Sequence, residues 1–140
     1  MVYYLRSVNG RYRLLRQAGG YTHFALVEVI VEPGDRDEIE VSPDAFSWLK
    51  EVYGNNAVVD RQVNNDLIAE AIDGVRYVLG SLQPRLQGFR VTVTVIVEST
   101  ADTNTGDVKL AAALSTCKAM GVRLEPPPRL EVSGVVFPTR

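Results

Sequence analysis

Two stretches of the chain alternate apolar residues in the manner of a β-strand. Residues 24–31 are apolar on one face and largely apolar on the other, which predicts a strand in the middle of a sheet. Residues 89–97 show the clearest alternation and are rich in β-branched residues. The residues expected to share a face are Ala25, Val27, Val29 and Val31 in the first strand and Phe89, Val91, Val93, Val95 and Val97 in the second.

Two other stretches predict helices, and the first of them has the 3.6-residue period of an amphipathic helix. Residues 65–79 carry apolar side chains three and four positions apart, and Gly80 suits the position just past the helix end. Residues 107–120 predict a second helix, which Gly121 ends.

Shorter elements are predicted around these four. Residues 39–41 and 57–63 have the composition of short strands. A helix is expected over residues 42–53, with its first residue, a serine, as the N-cap and with Trp48 and Leu49 buried.

The N-terminal segment has the pattern of a β-hairpin. Residues 3–8 and 11–17 flank an Asn-Gly dipeptide at positions 9–10, and both of these residue types tolerate the positive φ angles of a two-residue turn. This register sets Arg6 directly opposite Arg13, where the two like charges repel each other unless an anion lies between them.

Loops and breaks complete the pattern. Gly19 and Gly20 mark a loop after the hairpin, and the polar residues 98–106 predict an exposed, mobile loop. A last strand near residues 122–132 is interrupted by three prolines, which predicts an edge strand. The order of the elements favours an α+β fold with the helices on one face of the sheet.

The size and composition exclude several kinds of protein. A chain of 140 residues and 15.4 kDa is predicted to form a single domain over residues 1–140. Cys117 and His23 are the only residues of their types, and the chain has no phosphate-binding G-x-x-x-x-G-K-[ST] loop. We therefore expect no enzymatic activity, metal or cofactor in this chain. With neither a secretory signal nor a membrane span in the sequence, we expect a cytoplasmic protein that does not contact membranes.

Charge is distributed unevenly along the chain. Residues 1–27 carry a net charge of +4, residues 28–73 carry −9, and residues 74–140 carry +3. A basic end beside an acidic middle predicts a polarised surface, although solvation of both charged segments would also explain the pattern.

Four short motifs occur in order along nearly the whole chain. Residues 9–20 contain N-G-R-Y-R and R-Q-A-G-G, and V-E-P follows at 31–33. Residues 70–75 read E-A-I-D-G-V, residues 88–95 read G-F-R-V-T-V-T-V, and residues 124–132 read L-E-P-P-P-R-L-E-V. Together these motifs resemble domain IV of elongation factor G and related translational GTPases, including the tetracycline ribosomal protection proteins.

The resemblance implies a specific fold. It is a four-stranded sheet with two helices on one face and a left-handed β-α-β crossover, as in the second domain of a small-subunit ribosomal protein. The N-terminal hairpin would belong to this domain, and an extra short helix would lie in an insertion near residues 35–56. Residues 122–140 would lead toward a next domain that is missing here.

The resemblance also implies a function without bond chemistry. In the family, this domain is an arm whose tip loops enter the ribosomal decoding site and contact ribosomal RNA and tRNA. GTP and Mg²⁺ would belong only to a separate domain of a larger parent protein. The residues that would contact nucleic acid are Arg6, Arg11, Arg13, Arg16, Gly19, Gly20, Tyr21, Thr22, His23, Thr100, Thr103, Asn104 and Thr105.

Both tip loops depart from the family pattern. Residues 21–25 read Y-T-H-F-A where the family usually has R-G-Q-[YF]-G, and residues 98–106 contain no histidine where the family usually has one. The resemblance therefore predicts the fold more firmly than it predicts translocation.

Two alternatives use other parts of the same chain. In the first, the acidic segment 28–73 and the Trp48 helix form an interaction module for a basic protein partner. In the second, an acidic cluster at residues 35–40 serves an enzyme, but no general base is identifiable.

Overall fold

The computed structural model describes residues 6–54 and 61–139 of the protein. The strands in these ranges are β1 (Val8–Ala18), β2 (Tyr21–Gly34), β3 (Glu38–Val41), β4 (Gly88–Val97), β5 (Arg129–Glu131) and β6 (Gly134–Val136). The helices are α1 (Trp48–Tyr53), α2 (Arg61–Ser81) and α3 (Asp107–Met120).

The first four strands form one mixed sheet in the order β1-β2-β4-β3. The pairs β1/β2 and β2/β4 are antiparallel, whereas β3 runs parallel to β4. The expected α+β class with a four-stranded sheet is therefore confirmed, and β2 has the interior position predicted for it. Because β3 is one of the four strands, residues 38–41 of the expected insertion belong to the sheet.

The core lies between one face of the sheet and the helices α2 and α3. The cross-strand pairs Val29–Val93 and Val31–Val91 are at most 1% exposed. Full burial of each such side chain stabilises the fold by about 1.5–3 kcal/mol. The helix residues that pack against this face include Leu67, Ala71, Val75 and Leu79 from α2 and Val108, Ala111, Ala112 and Met120 from α3.

The N-terminal hairpin turns at Gly19 and Gly20, whose φ angles are +61° and +83°. The turn predicted at positions 9–10 is wrong, because β1 runs straight through them. The predicted Arg6–Arg13 pair is wrong as well. Arg13 lies opposite Leu26, and Arg6 precedes β1.

Gly10 is required by close packing rather than by a turn. A Cβ atom at Gly10 would lie 2.0 Å from the carbonyl oxygen of Ser115 and 2.8 Å from Cβ of Ala119. The missing side chain therefore allows α3 to lie directly against β1. The turn preference of the Asn-Gly pair depends only on neighbouring residues, so it could not indicate this contact with α3.

A register shift changes the face presented by the end of β4. Val93 lies opposite Val29, and Val95 lies opposite Glu28, so Thr94 has no partner in the ladder. This bulge turns Ile96, at 0% exposure, toward the core. The prediction that Val95 and Val97 share the inward face is therefore wrong, because both lie on the face opposite to Ile96.

Three other predicted elements differ from the structure. The helix predicted over residues 42–53 is confirmed only from Trp48 onward, because residues 43–47 form turns, and Trp48 and Leu49 are half-buried. Residues 61–63 of the predicted strand 57–63 begin α2, and residues 57–60 lie outside the described residues. The helix predicted over 65–79 is confirmed and continues through Gly80.

The C-terminal segment forms its own hairpin, β5/β6, rather than an edge strand of the main sheet. Leu130 of β5 packs against Leu14 of β1 and Leu110 of α3. After β6, the Phe137 ring meets Tyr77 edge to face at 4.9 Å and lies 4.2 Å from Nζ of Lys109. These contacts attach the segment to both long helices.

Ion pairs connect the charge segments that the sequence separates. Arg11 pairs with Glu28 at 3.4 Å, and Arg90 pairs with Glu40 at 2.5 Å. Arg85 forms a two-pronged ion pair with Asp37, and its hydrogen bonds hold the pKa of that carboxyl below the ordinary value. The acidic segment is therefore partly neutralised by arginines from the two basic segments.

The contact at Gly10 predicts an unequal effect of two glycine substitutions. Gly10→Ala should lower the free energy of unfolding by about 1–3 kcal/mol, since the new methyl group has no room beside α3. Gly80→Ala, at an open position of α2, should raise it by about 1 kcal/mol. Urea denaturation of both variants measures these changes, and equal effects would contradict the packing described.

Candidate functional site

The two loops expected at the tip meet at one end of the sheet. The Thr103 hydroxyl donates to the Phe24 carbonyl at 2.6 Å, and the Asn104 side-chain amide donates to the Thr22 carbonyl at 2.7 Å. In return, the Phe24 N–H donates to the Asp102 carbonyl at 3.1 Å. The β4–α3 loop, residues 98–106, is therefore docked on the start of β2 instead of standing free as predicted. We call this loop and residues 19–22 together the tip.

His23 lies beneath the tip surface. It is 6% exposed, and its Nδ1 lies 2.7 Å from Oδ1 of Asp107, which is fully buried. The other carboxylate oxygen of Asp107 accepts the Asn104 N–H at 2.8 Å. His23 therefore holds the beginning of α3 and the loop before it, and its buried ring is not presented to a partner.

Glu70 of α2 caps α3 from a neighbouring helix. One of its carboxylate oxygens accepts the N–H groups of Gly106, at 3.1 Å, and Lys109, at 3.2 Å. These donors have no partner within α3, since the first turn of any helix leaves its N–H groups unpaired. Burial raises the pKa of Glu70, and the backbone hydrogen bonds oppose that rise only in part.

The predicted contact residues differ in how far they reach solvent. Tyr21 is 66% exposed at the hairpin turn. The exposed positions are Arg6, Arg11, Arg13, Arg16, Gly19, Gly20, Tyr21, Thr100 and Thr105, and the half-buried ones are Thr22, Thr103 and Asn104. Thr22, Thr103 and Asn104 have backbone or side-chain groups in the hydrogen bonds that join the two loops, so they hold the tip together.

The arginines of β1 do not share one face of the sheet. Arg11 and Arg13 point away from the helices, whereas Arg16 has the opposite parity and lies across from His23. Arg13 has its guanidinium carbon 6.0 Å from the centre of the Phe24 ring, and Arg11 is paired with Glu28. All three are exposed and lie on an edge strand.

A cleft beside the tip was not predicted from the sequence. Its volume is about 930 Å³, and it lies between α1, the first turns of α2 and the β4–α3 loop. Trp48, Leu49, Tyr53 and Leu67 give it apolar surface, and Asp66, Glu70 and Glu98 give it carboxylates. Thr100, Thr103, Asn104 and Thr105 also line it, so one side of the predicted nucleic-acid loop faces acidic groups. Trp48, Asp66 and Glu70 lie in the acidic segment that the sequence offered as a protein-binding alternative, whereas Glu98 and the β4–α3 loop lie outside it.

The described ranges 6–54 and 61–139 contain neither a metal-binding cluster nor a helix that could span a membrane. Within them, no group of His, Cys, Asp and Glu side chains is arranged to hold a metal ion. No helix there is both long enough and apolar enough to cross a bilayer.

Comparison with known proteins identifies a structural neighbour but no family. No protein-family model matches the chain, and no curated protein matches its sequence. The crystal structure of the protein ttk003000868 from Thermus thermophilus is similar, with a TM-score of 0.58 and 15% sequence identity. The match covers 83% of this chain but only 16% of that chain. At this identity, the likeness shows a shared fold and nothing further.

The docked loop predicts that the Thr103 hydroxyl stabilises the protein. Thr103→Val keeps the shape of the side chain but leaves the Phe24 carbonyl and the Ser99 N–H without this partner. The free energy of unfolding should fall by about 1–3 kcal/mol in urea denaturation. Thr103→Ser keeps the hydroxyl and should cost less than half as much. Equal losses in the two variants would mean that the hydroxyl does not anchor the loop.

The raised pKa of Glu70 predicts a pH effect of definite sign. Ionised Glu70 is disfavoured in the folded state, so the native protein should gain stability relative to Glu70→Gln as the pH falls from neutral toward the ordinary pKa of 4.5. Thermal unfolding of both proteins across this range measures the difference. A difference that stays constant, or that changes in the opposite direction, would contradict the buried setting of Glu70.

Proposed function

We propose that this chain is a non-catalytic domain of the translation-factor class and that its tip contacts RNA on the ribosome. The observation that carries the proposal is the docking of the β4–α3 loop on the start of β2. Two loops that are distant in sequence form one end of the molecule there, as the resemblance to domain IV of elongation factor G requires. The proposal includes contacts between the tip and tRNA, as the resemblance implies.

The fold and the solved neighbour are consistent with this proposal. The four-stranded sheet with α2 and α3 on one face agrees with the fold that the resemblance implies. The parallel pair β3/β4, joined through α2, is the connection to which we assign the left-handed crossover. The solved neighbour is a far longer chain, which is consistent with a domain of this kind being one part of a larger protein. In a parent of that kind, GTP and Mg²⁺ would bind elsewhere.

The edge strand β1 supplies the charge for phosphate contacts. Arg11 and Arg13 reach from one face of the edge and Arg16 from the other, so a nucleic-acid backbone along the edge would meet all three. Arginine is suited to this task because its planar guanidinium donates several hydrogen bonds to phosphate oxygens. The exposed Tyr21 offers an aromatic face for an unpaired base at the same end.

Binding to RNA and to ribosomes tests the proposal. If three arginines neutralise phosphates, the affinity for single-stranded RNA should fall with salt at a log–log slope of about −2. Replacing Arg11, Arg13 and Arg16 with Gln should weaken RNA binding at least about tenfold and should abolish co-sedimentation with ribosomes.

A matched control removes the same charge elsewhere. A variant with Gln at Arg36, Arg76 and Arg123 loses three arginines that lie outside β1 and the tip. It should bind RNA as the native protein does. Equal losses in the two triple variants, a flat salt profile, or no sedimentation of the native chain with ribosomes would refute the proposal.

A further inference from the structure

The cleft beside the tip combines an aromatic wall with carboxylates. Its apolar side is built mainly by α1, which presents Trp48, Leu49 and Tyr53. Its opposite side is the β4–α3 loop, which begins with Glu98. The volume of about 930 Å³ is large enough to accept several side chains of a partner.

The aromatic wall is fixed on the sheet. The Trp48 indole N–H donates to the Ile96 carbonyl at 2.6 Å, and the Ile96 N–H donates to the Ala45 carbonyl at 3.0 Å. The segment before α1 is therefore tied to β4. Tyr53, which also lines the cleft, is 67% exposed. Rigid aromatic side chains of this kind bind partners at low cost in conformational entropy.

The charge in the cleft has one sign. Asp66, Glu70 and Glu98 line it, and no lysine or arginine belongs to the lining that the described residues form. Asp66 accepts a hydrogen bond from Gln62, and Glu70 accepts the N–H groups at the start of α3. Glu98, by contrast, has no hydrogen-bond or ion-pair partner within 6–54 and 61–139, and burial raises its pKa.

We infer that this cleft binds a basic segment of a partner protein, with a lysine or arginine side chain on Glu98 and an apolar side chain against Trp48 and Leu49. A cation is the group that relieves a partly buried, unpaired carboxylate, and it is also favoured beside the aromatic rings of the wall. A purely apolar partner would bury Glu98 without compensation.

The charge argues against RNA as the occupant of this cleft. Three carboxylates repel a phosphate backbone, whereas the arginines proposed to contact RNA lie on β1. The inference does not depend on the proposed ribosome contact. It gives the domain a second surface, which would bind protein on one side of the β4–α3 loop.

The single tryptophan of the chain makes the inference directly testable. A short peptide of alternating lysine and leucine is titrated into the protein while the fluorescence of Trp48 is followed. We expect a saturable change that weakens as salt is added. A peptide of alternating glutamate and leucine should produce no saturable change.

Two substitutions then test the role assigned to Glu98. Glu98→Gln should weaken binding of the lysine–leucine peptide about tenfold, because a charged partner is lost. Glu51→Gln is the matched control, since Glu51 lies on α1 but does not line the cleft, and it should change the affinity less than about twofold. Thermal unfolding of both variants checks that each remains folded.

Several results would overturn the inference. They are the absence of a saturable change, equal binding of the two peptides, or an equal effect of the two substitutions. A saturable change in Trp48 fluorescence when single-stranded RNA alone is titrated into the variant that lacks Arg11, Arg13 and Arg16 would assign the cleft to RNA instead. Failure of the ribosome experiment alone leaves the inference standing, because the peptide titration contains no RNA.

Discussion

The first turn of α3 has N–H groups that no residue of the helix itself can satisfy, and the candidate tip depends on how the chain satisfies them. The residue before the helix is Gly106, which has no side chain for capping. Glu70 supplies the missing acceptor from α2, and Asp107 turns back to accept the Asn104 N–H. Because Asp107 also meets His23 of β2, one set of polar contacts fixes α2, α3, the β4–α3 loop and the central strand together.

In this arrangement, one set of residues holds the loop in place and another set is exposed to solvent. His23, Thr103 and Asn104 are largely occupied by contacts within the protein, whereas Tyr21, Thr100 and Thr105 remain at the surface. A rigid support under exposed groups is what a binding loop requires, since partners are bound with less loss of conformational entropy when the loop is already ordered. The same loop divides two surfaces of unlike charge: the arginines of β1 lie on a sheet edge, and the carboxylates of the cleft lie beside α1.

Much of the fold could be predicted because its elements are long and strongly periodic. The valines of β2 and β4 and the apolar stripe of α2 fix their own secondary structure through the faces they bury. The turn of the N-terminal hairpin was predicted at the wrong position because the Asn-Gly pair at positions 9–10 has a strong local turn preference. The contact that decides the structure there, Gly10 against Ser115, joins residues that are far apart in sequence. The bulge at Thr94 could not be predicted for a similar reason, since it depends on the register between β4 and β2.

The candidate site was predictable only in part. The two tip loops were named from motifs, but their hydrogen bonds depend on Thr103 and Asn104 reaching backbone carbonyls of β2, which no sequence pattern encodes. The burial of His23 follows from its pairing with Asp107, again across a long separation in the chain. The cleft is formed by residues of α1, α2 and the β4–α3 loop. It exists only after these elements have packed together, so no single stretch of sequence predicts it.

The claim that the tip is a single docked unit is tested most directly by native-state amide hydrogen exchange. The donors to follow are the N–H groups of Phe24, Asn104, Gly106 and Lys109, which bond to Asp102, Asp107 and Glu70. The account predicts that these four amides are protected and exchange with closely similar free energies of opening. Exchange of the Asn104 and Gly106 amides at the rate of an unstructured peptide, while the amides of β2 and β4 remain protected, would contradict it.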